Sequence, residues 1–182
     1  MSFHPVRDHY DVIIAGARAS GAPTAMLLAR RGLRVLVVDP VPRGRDTLST
    51  HALMRSGVLQ LHRWGLLDRV RAAGTPAAED TTFDYGDETI VVPIKPKHGV
   101  RALYAPRRTV LDPILVDAAS EAGAHVRFGL AVRDLQRDAD GRVRGVWLHG
   151  PDHPSREVSA DLVVGADGIH SRVARLVKAP ME

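Results

Sequence analysis

Apolar residues fall in two short unbroken runs near the start of the chain, with a stretch at helical spacing between them. Tyr10 to Ala15 is the first run, apolar and β-branched, which predicts a strand buried on both faces. A glycine-bearing turn, Gly16 to Gly21, follows it. Ala22, Ala25, Met26 and Ala29 then recur at the period of a helix reaching Arg31. That stripe is mostly alanine, so the helix can lie close against a sheet. Gly32 stands where a helix would end, and Arg34 to Val38 is a second buried strand with Asp39 at its carboxyl end. The three elements make a β-turn-α-β unit of about thirty residues.

Downstream the pattern is more broken. Pro40, Pro42 and Gly44 make Pro40 to Thr50 a loop. Helical spacing returns from His51 to Arg63, with Leu53, Val58, Leu61 and Trp64 as core contacts, and a shorter helix spans Leu66 to Ala73. Thr81 to Tyr85 and Thr89 to Val92 read as strands joined by a Gly86-Asp87 turn. A helix over Leu111 to Ala122 takes Asp112 as N-cap and Pro113 as its first residue, with Thr109 an alternative start one turn earlier. Ala124 to Phe128, Ala131 to Leu135 and Arg142 to Leu148 are strands, the last reached over Asp140-Gly141. Asp161 to Gly165 is a further buried strand running into Gly165-Ala166-Asp167-Gly168, and a final helix begins near Ser171. Neither a repeat nor a low-complexity stretch interrupts the chain. The order of elements predicts an α/β fold with a parallel nucleotide-binding sheet.

Composition narrows the function classes. The 182 residues are 45% hydrophobic and 25% charged, the balance of a soluble globular protein rather than of a disordered, collagenous or coiled-coil chain. No apolar stretch approaches the length of a membrane span, and Met1 to Tyr10 lacks the apolar core of a signal peptide. Cysteine is absent, which removes disulfides, thiolate metal sites and cysteine nucleophiles, and the expected setting is cytoplasmic. The net charge is +4 and the pI near 9.9, but the arginines are scattered and aromatics are only 4%. That distribution argues against nucleic-acid binding, which needs a basic footprint or stacking platforms.

The first turn, Gly16-Ala17-Arg18-Ala19-Ser20-Gly21, has the outline of a dinucleotide fingerprint. The first glycine makes the turn, the second lets the backbone approach a pyrophosphate, and the third lets helix and strand pack closely. Arg18 stands where the second glycine belongs. The turn nevertheless follows a buried strand and opens a helix whose free N–H groups and dipole favour an anion. Asp39 is placed to accept ribose hydroxyls, and its charge disfavours a ribose 2′-phosphate. His51 is a catalytic candidate, since it follows the loop and can titrate near neutral pH; a structural histidine is the alternative. No histidine or carboxylate spacing suggests a metal, and Ser20, Ser49 and Ser171 lack a nucleophile elbow.

Together, Tyr10 to Gly16 and Val38-Asp39 resemble the FAD-binding start of flavoprotein monooxygenases of the p-hydroxybenzoate hydroxylase type and of their geranylgeranyl-reductase-like relatives. Asp161 to Arg175 is similar to that family's Asp-Gly motif: Asp167 and Gly168 match its defining pair, Ser171 its serine, and Arg175 or Arg172 its closing arginine. Arg55-Ser56-Gly57-Val58-Leu59 resembles the helix start that carries an arginine to the FAD phosphates. Ala105-Pro106-Arg107 resembles the segment that brings an arginine or glutamine near the flavin, with Arg108 the alternative. Val132 matches a position whose backbone meets the adenine.

The resemblance implies a Rossmann-like, GR2-type FAD-binding fold over residues 1–182, with strands of an incomplete substrate domain at about 79–104, and coverage of the N-terminal half of such a flavoprotein. It implies that Gly16, Ala17, Ala19, Ser20 and Gly21 surround the pyrophosphate, with Asp167 and Gly168 completing that site. The implied cofactors are FAD and, as transient reductant, NADH or NADPH. The implied substrate is a small molecule of aromatic, polyketide or prenyl type, a prenyl one bringing the protein to a membrane surface. Reduced flavin would then activate dioxygen for hydroxylation or deliver hydride to an alkene. Two other readings stay open. One is a non-catalytic remnant that binds FAD or ADP; the other is an NAD-dependent dehydrogenase, which accounts for the first forty residues but not for the Asp-Gly turn.

Overall fold

In the computed structural model residues 6–47, 52–151 and 153–180 are described, and the chain runs β1 (His9–Ala15), α1 (Gly21–Ala29), β2 (Val35–Asp39), α2 (Arg55–Trp64), α3 (Leu67–Ala72), β3 (Ala77–Ala78), β4 (Asp80–Asp84), β5 (Thr89–Pro93), β6 (Leu103–Tyr104), α4 (Arg108–Glu121), β7 (His125–Phe128), β8 (Ala131–Arg137), β9 (Val143–Gly150), β10 (His153–Gly165) and α5 (Arg172–Leu176). It divides into two compact units, Met1–Arg45 with Leu115–Glu182, and Asp46–Ile114.

The first unit is built on a six-stranded sheet of order β7-β2-β1-β10-β9-β8. β7, β2, β1 and the end of β10 run parallel, while β9 and β8 are antiparallel additions. The continuous apolar runs are the parallel strands, as expected for strands covered on both faces. One cover is α1: a Cβ added to Gly21 would stand 3.2 Å from the Ile14 Cγ2. The other is the β8–β9–β10 meander, whose Val132, Leu135, Val146, Leu148 and Val158, with Leu130 just before β8, form one core with Ile13, Ala15, Leu36 and Val38. Each fully buried side chain of this size contributes roughly 1.5–3 kcal/mol, so the parallel centre is the most firmly fixed part of the unit.

Three sequence expectations need correcting. α2 begins at Arg55 rather than near His51, Leu53 instead forming a bridge with Tyr104. β10 spans thirteen residues rather than Asp161 to Gly165 alone. Its first half pairs antiparallel with β9, Val158 opposite Val146, and its second half pairs parallel with β1, Ile13 opposite Val163. The polar residues Arg156, Glu157 and Ser159 disguise the first half, because a strand with one wet face alternates where a doubly covered strand does not. α4 begins at Arg108, so Asp112 is no N-cap and Pro113 lies inside the helix. The Arg107 carbonyl accepts from both Val110 and Leu111 at 2.9 Å, which closes the first turn early. Asp112, nearly buried, instead accepts from the Arg108 Nε and Nη2, both at 2.8 Å.

The second unit holds α2, α3 and two small sheets, β3 with β6 and β4 with β5. Tyr104, buried on β6, accepts a hydrogen bond from the Arg71 Nε of α3 at 2.8 Å. β4 and β5 form the hairpin read from the sequence, with Phe83 opposite Ile90 and Thr81 opposite Val92. Every residue of that hairpin is exposed.

At the amino end of the parallel strands, Asp11 accepts from the Arg34 backbone N–H at 2.6 Å and from its Nε at 3.0 Å. These bonds hold the Asp11 carboxyl at about 2, below its ordinary 3.8. A carboxyl lowered on folding stabilises the fold above its unfolded value and loses that contribution as pH falls through the folded one. Asp11→Asn will therefore have a lower denaturation midpoint than wild type at pH 7, and the gap will close between pH 3.8 and about 2. Urea titrations at three pH values check this; a gap independent of pH would reject it.

Candidate functional site

Parallel register sets the site. Ala15 pairs with Val38 on one side and Gly165 on the other, so the turns after β1, β2 and β10 leave the sheet at one edge. The Gly16 N–H donates to the Val38 carbonyl and the Ala166 N–H to the Ala15 carbonyl, each at 2.8 Å. Gly16 has φ +102°, a region that side chains rarely adopt, and a Cβ there would lie 2.3 Å from the Ala166 carbonyl oxygen. A Cβ on Gly21 would lie 1.8 Å from the Gly16 carbonyl oxygen. The two glycines thus let three backbone segments touch where any side chain would force them apart.

Asp39 closes the base of this arrangement. Only 5% exposed, its Oδ2 accepts from the Ala17 N–H at 2.9 Å and its Oδ1 from the Val41 N–H at 2.8 Å. A carboxylate offers about four acceptor positions, so this one retains capacity for hydroxyl donors. Above it, α1 begins at Gly21 with Ser20 as N-cap, no side-chain cap and no acid in the first turn. The Ala22 N–H donates to the Arg18 carbonyl and the Thr24 N–H to that of Ser20, and Pro23 has none to give. The N–H groups of Arg18, Ala19, Ser20 and Gly21 have no protein acceptor among the described residues. Donors without acceptors at a helix start are the local chemistry of an anion site.

Asp167 serves its own turn. Its Oδ2 accepts from the Arg172 N–H at 2.7 Å and its Oδ1 from the Ser171 hydroxyl, while the Ser171 Oγ caps α5 by accepting from the Ala174 N–H at 2.9 Å. What Asp167 brings to the shared edge is backbone, its N lying 3.1 Å from where a Gly16 Cβ would stand. Gly168 follows with φ +86°. Of the two closing arginines, Arg172 donates to the Arg133 carbonyl and Arg175 to those of Ser171 and His170.

The structure therefore brings Gly16, Ala17, Ala19, Ser20, Gly21, Asp39, Asp167 and Gly168 to one edge of the first unit. Val132 belongs to the same unit, its buried side chain in the core and its strand reached from Leu130, whose N–H donates to the Asp39 carbonyl at 3.3 Å. Arg55 and Arg107 lie in the second unit, Arg55 donating to the Lys95 carbonyl at 2.8 Å and Arg107 paired with Asp46. His51 lies outside the described residues. Sequence reasoning misses both backbone partners of Asp39, Ala17 and Val41, although a carboxylate two residues before an N–H, as with Val41, is a recurrent local bond. It also misses the contact of Gly16 with Ala166, which no spacing reveals. Among the described residues one metal-capable grouping exists, His9, Asp11 and Asp161, at the opposite end of β1, where Arg34 already occupies Asp11.

Comparison with known proteins gives the family. The family model described as FAD binding domain matches residues 9–182. The chain is 29% identical to digeranylgeranylglycerophospholipid reductase 2 of Methanococcoides burtonii, over 93% of this chain and 40% of that protein. It is 29% identical to 2,4-dichlorophenol 6-monooxygenase of Delftia acidovorans, over 94% and 32%. Among solved structures, anhydrotetracycline hydroxylase OxyS from Streptomyces rimosus superposes with a TM-score of 0.74 at 30% identity, over 93% of this chain and 34% of that one. The chain thus spans well under half the length of these relatives.

Proposed function

The chain belongs to the FAD binding domain family, and from that premise we propose that its first unit holds the adenosine diphosphate half of FAD for an oxidoreductase of the p-hydroxybenzoate hydroxylase and geranylgeranyl-reductase-like superfamily. The observation that carries this is the cradle at Gly16, where a side chain would fill the space between two turns above a buried carboxylate. The residues present fit the group. The open N–H groups at the start of α1 would face the diphosphate, and the spare lone pairs of Asp39 would accept ribose hydroxyls. Backbone at Asp167 and Gly168 would flank the diphosphate and that of Val132 the adenine, while Arg55 and Arg107 would balance phosphate charge.

When bound, FAD supplies two-electron redox chemistry, taking hydride from NADH or NADPH and passing reducing power to dioxygen or an alkene. The protein's own share is to bind, orient and charge-balance that cofactor, so no side chain named here needs to be a general acid or base. His51 is kept as the one catalytic candidate. The substrate we assign is a small molecule of aromatic, polyketide or prenyl type, supported by relatives named as a monooxygenase, a hydroxylase and a lipid reductase. A cytoplasmic setting belongs to the same proposal; no helix among the described residues is long and apolar enough to cross a membrane.

The visible spectrum tests this reading. After incubation with excess FAD and desalting, the chain will retain a flavin band shifted from that of free FAD. A colourless protein would reject the reading for this chain.

A further inference from the structure

We propose that Arg18 is a diphosphate ligand, a side-chain cation standing in for the backbone approach that the middle glycine of a dinucleotide turn ordinarily provides. This deepens the cofactor reading above and rests on it. Three observations carry it. First, position 18 does not need glycine here: among the described residues only His98 and Lys178 combine a side chain with positive φ, so Arg18 has ordinary backbone. Second, Arg18 is half-exposed, and its guanidinium has neither an acidic partner nor a protein acceptor among the described residues. Third, the donors left open in the turn, the N–H groups of Arg18, Ala19, Ser20 and Gly21, are all neutral. The Ala17 N–H already donates to Asp39, the Ala22 N–H to the Arg18 carbonyl, and Pro23 has no N–H.

Charge makes that neutrality matter. Asp39 and Asp167 both lie at this edge, and a diphosphate would add its own negative charge beside them. Within the turn itself, only neutral N–H groups would face that repulsion. A guanidinium is the group suited to it, always charged and able to give two parallel hydrogen bonds to phosphate oxygens. Arg18 is the one basic side chain within the turn from Gly16 to Gly21.

The test compares two variants with opposite expectations under the rival view that Arg18 is merely tolerated. Arg18→Gly restores the three-glycine outline, and Arg18→Gln keeps side-chain length without charge. Binding of FAD, ADP and adenosine is measured by calorimetry at low and high salt, alongside thermal unfolding. Both variants will unfold near the wild-type temperature, since the guanidinium has no partner to lose. Both will bind FAD and ADP roughly ten- to a hundredfold more weakly at low salt, with a smaller salt dependence and unchanged adenosine binding. Arg18→Gly binding FAD as tightly as wild type would overturn the proposal while leaving the cofactor reading intact. Equal loss of ADP and adenosine binding would also overturn it, by locating the effect away from the diphosphate. Wild type that binds neither FAD nor ADP would overturn the cofactor reading and this inference together.

Discussion

Gly16→Ala will lose ADP and FAD binding and will melt about 10 °C below wild type. Two costs combine. A φ of +102° is strained for alanine, at roughly 1–2 kcal/mol. The new Cβ would also stand 2.3 Å from the Ala166 carbonyl oxygen, and overpacking adds about 1–3 kcal/mol when the neighbour is backbone that cannot rotate away. The turns after β1 and β10 must then separate, and the open N–H groups at the start of α1 move with them. Gly32→Ala is the control, since Gly32 has φ +83° but nothing within 4 Å of an added Cβ. It carries strain alone, will melt only a few degrees low, and will keep its nucleotide affinity. Circular dichroism melts and ADP calorimetry on the pair separate the terms; equal behaviour of the two variants would mean that the contact with Ala166 is immaterial.

Asp39→Ala will be the second large effect. Removing the carboxylate leaves the buried Ala17 N–H and the part-buried Val41 N–H without their acceptor. Each unsatisfied donor costs about 1–3 kcal/mol, so stability falls by several kcal/mol and the turn loses the anchor that fixes its height. Asp39→Asn retains one acceptor oxygen but turns an NH2 group toward the other donor, and will fall between alanine and wild type in urea midpoint. Both variants will lose most ADP affinity, because the ribose acceptor is gone or halved. A urea midpoint unchanged in Asp39→Ala would show that water replaces the carboxylate and that Asp39 does not hold the turn.

The parts of this fold that are legible in the sequence are those where one physical cause acts alone. The first forty residues have strands covered on both faces, so their apolar runs are unbroken, and a helix held close to them shows as a stripe of alanine. Asp39 stands out because a charged residue ending a buried run has few other uses. β10 is only half legible because two different partners impose two different patterns on one strand. The start of α4 is half legible: Thr109 stands one residue from it, but Asp112-Pro113 also has the form of a helix start, whereas the Arg107 carbonyl and the Arg108–Asp112 ion pair govern the turn before it. The short β3–β6 pairing leaves no periodicity to read, being two residues on each side. The bounds of the two units are also illegible: the second interrupts the first, and contacts between residues 1–45 and 115–182 are distant in sequence.

At the site itself, residue types are legible and relations are not. Gly16 and Gly21 can be picked out as turn residues, but that the Ala166 carbonyl lies against Gly16 follows only from the register of β1 with β10. The Asp167-Gly168 pair is recognisable by resemblance, yet its carboxylate is engaged in building the start of α5. Arg18 is visible as a departure from the fingerprint, and its significance emerges only once the neighbouring N–H groups are sorted into those already donating and those still open.

That this chain reads the adenosine diphosphate half of FAD is measured most directly by competition: FAD bound to the chain is challenged with ADP or with FMN, and its release is followed by flavin fluorescence. ADP will displace FAD and FMN will not, since the cradle of Gly16, Asp39 and the α1 N–H groups meets only the adenosine diphosphate half. Displacement by FMN with ADP inert would contradict this, placing recognition at the flavin end instead.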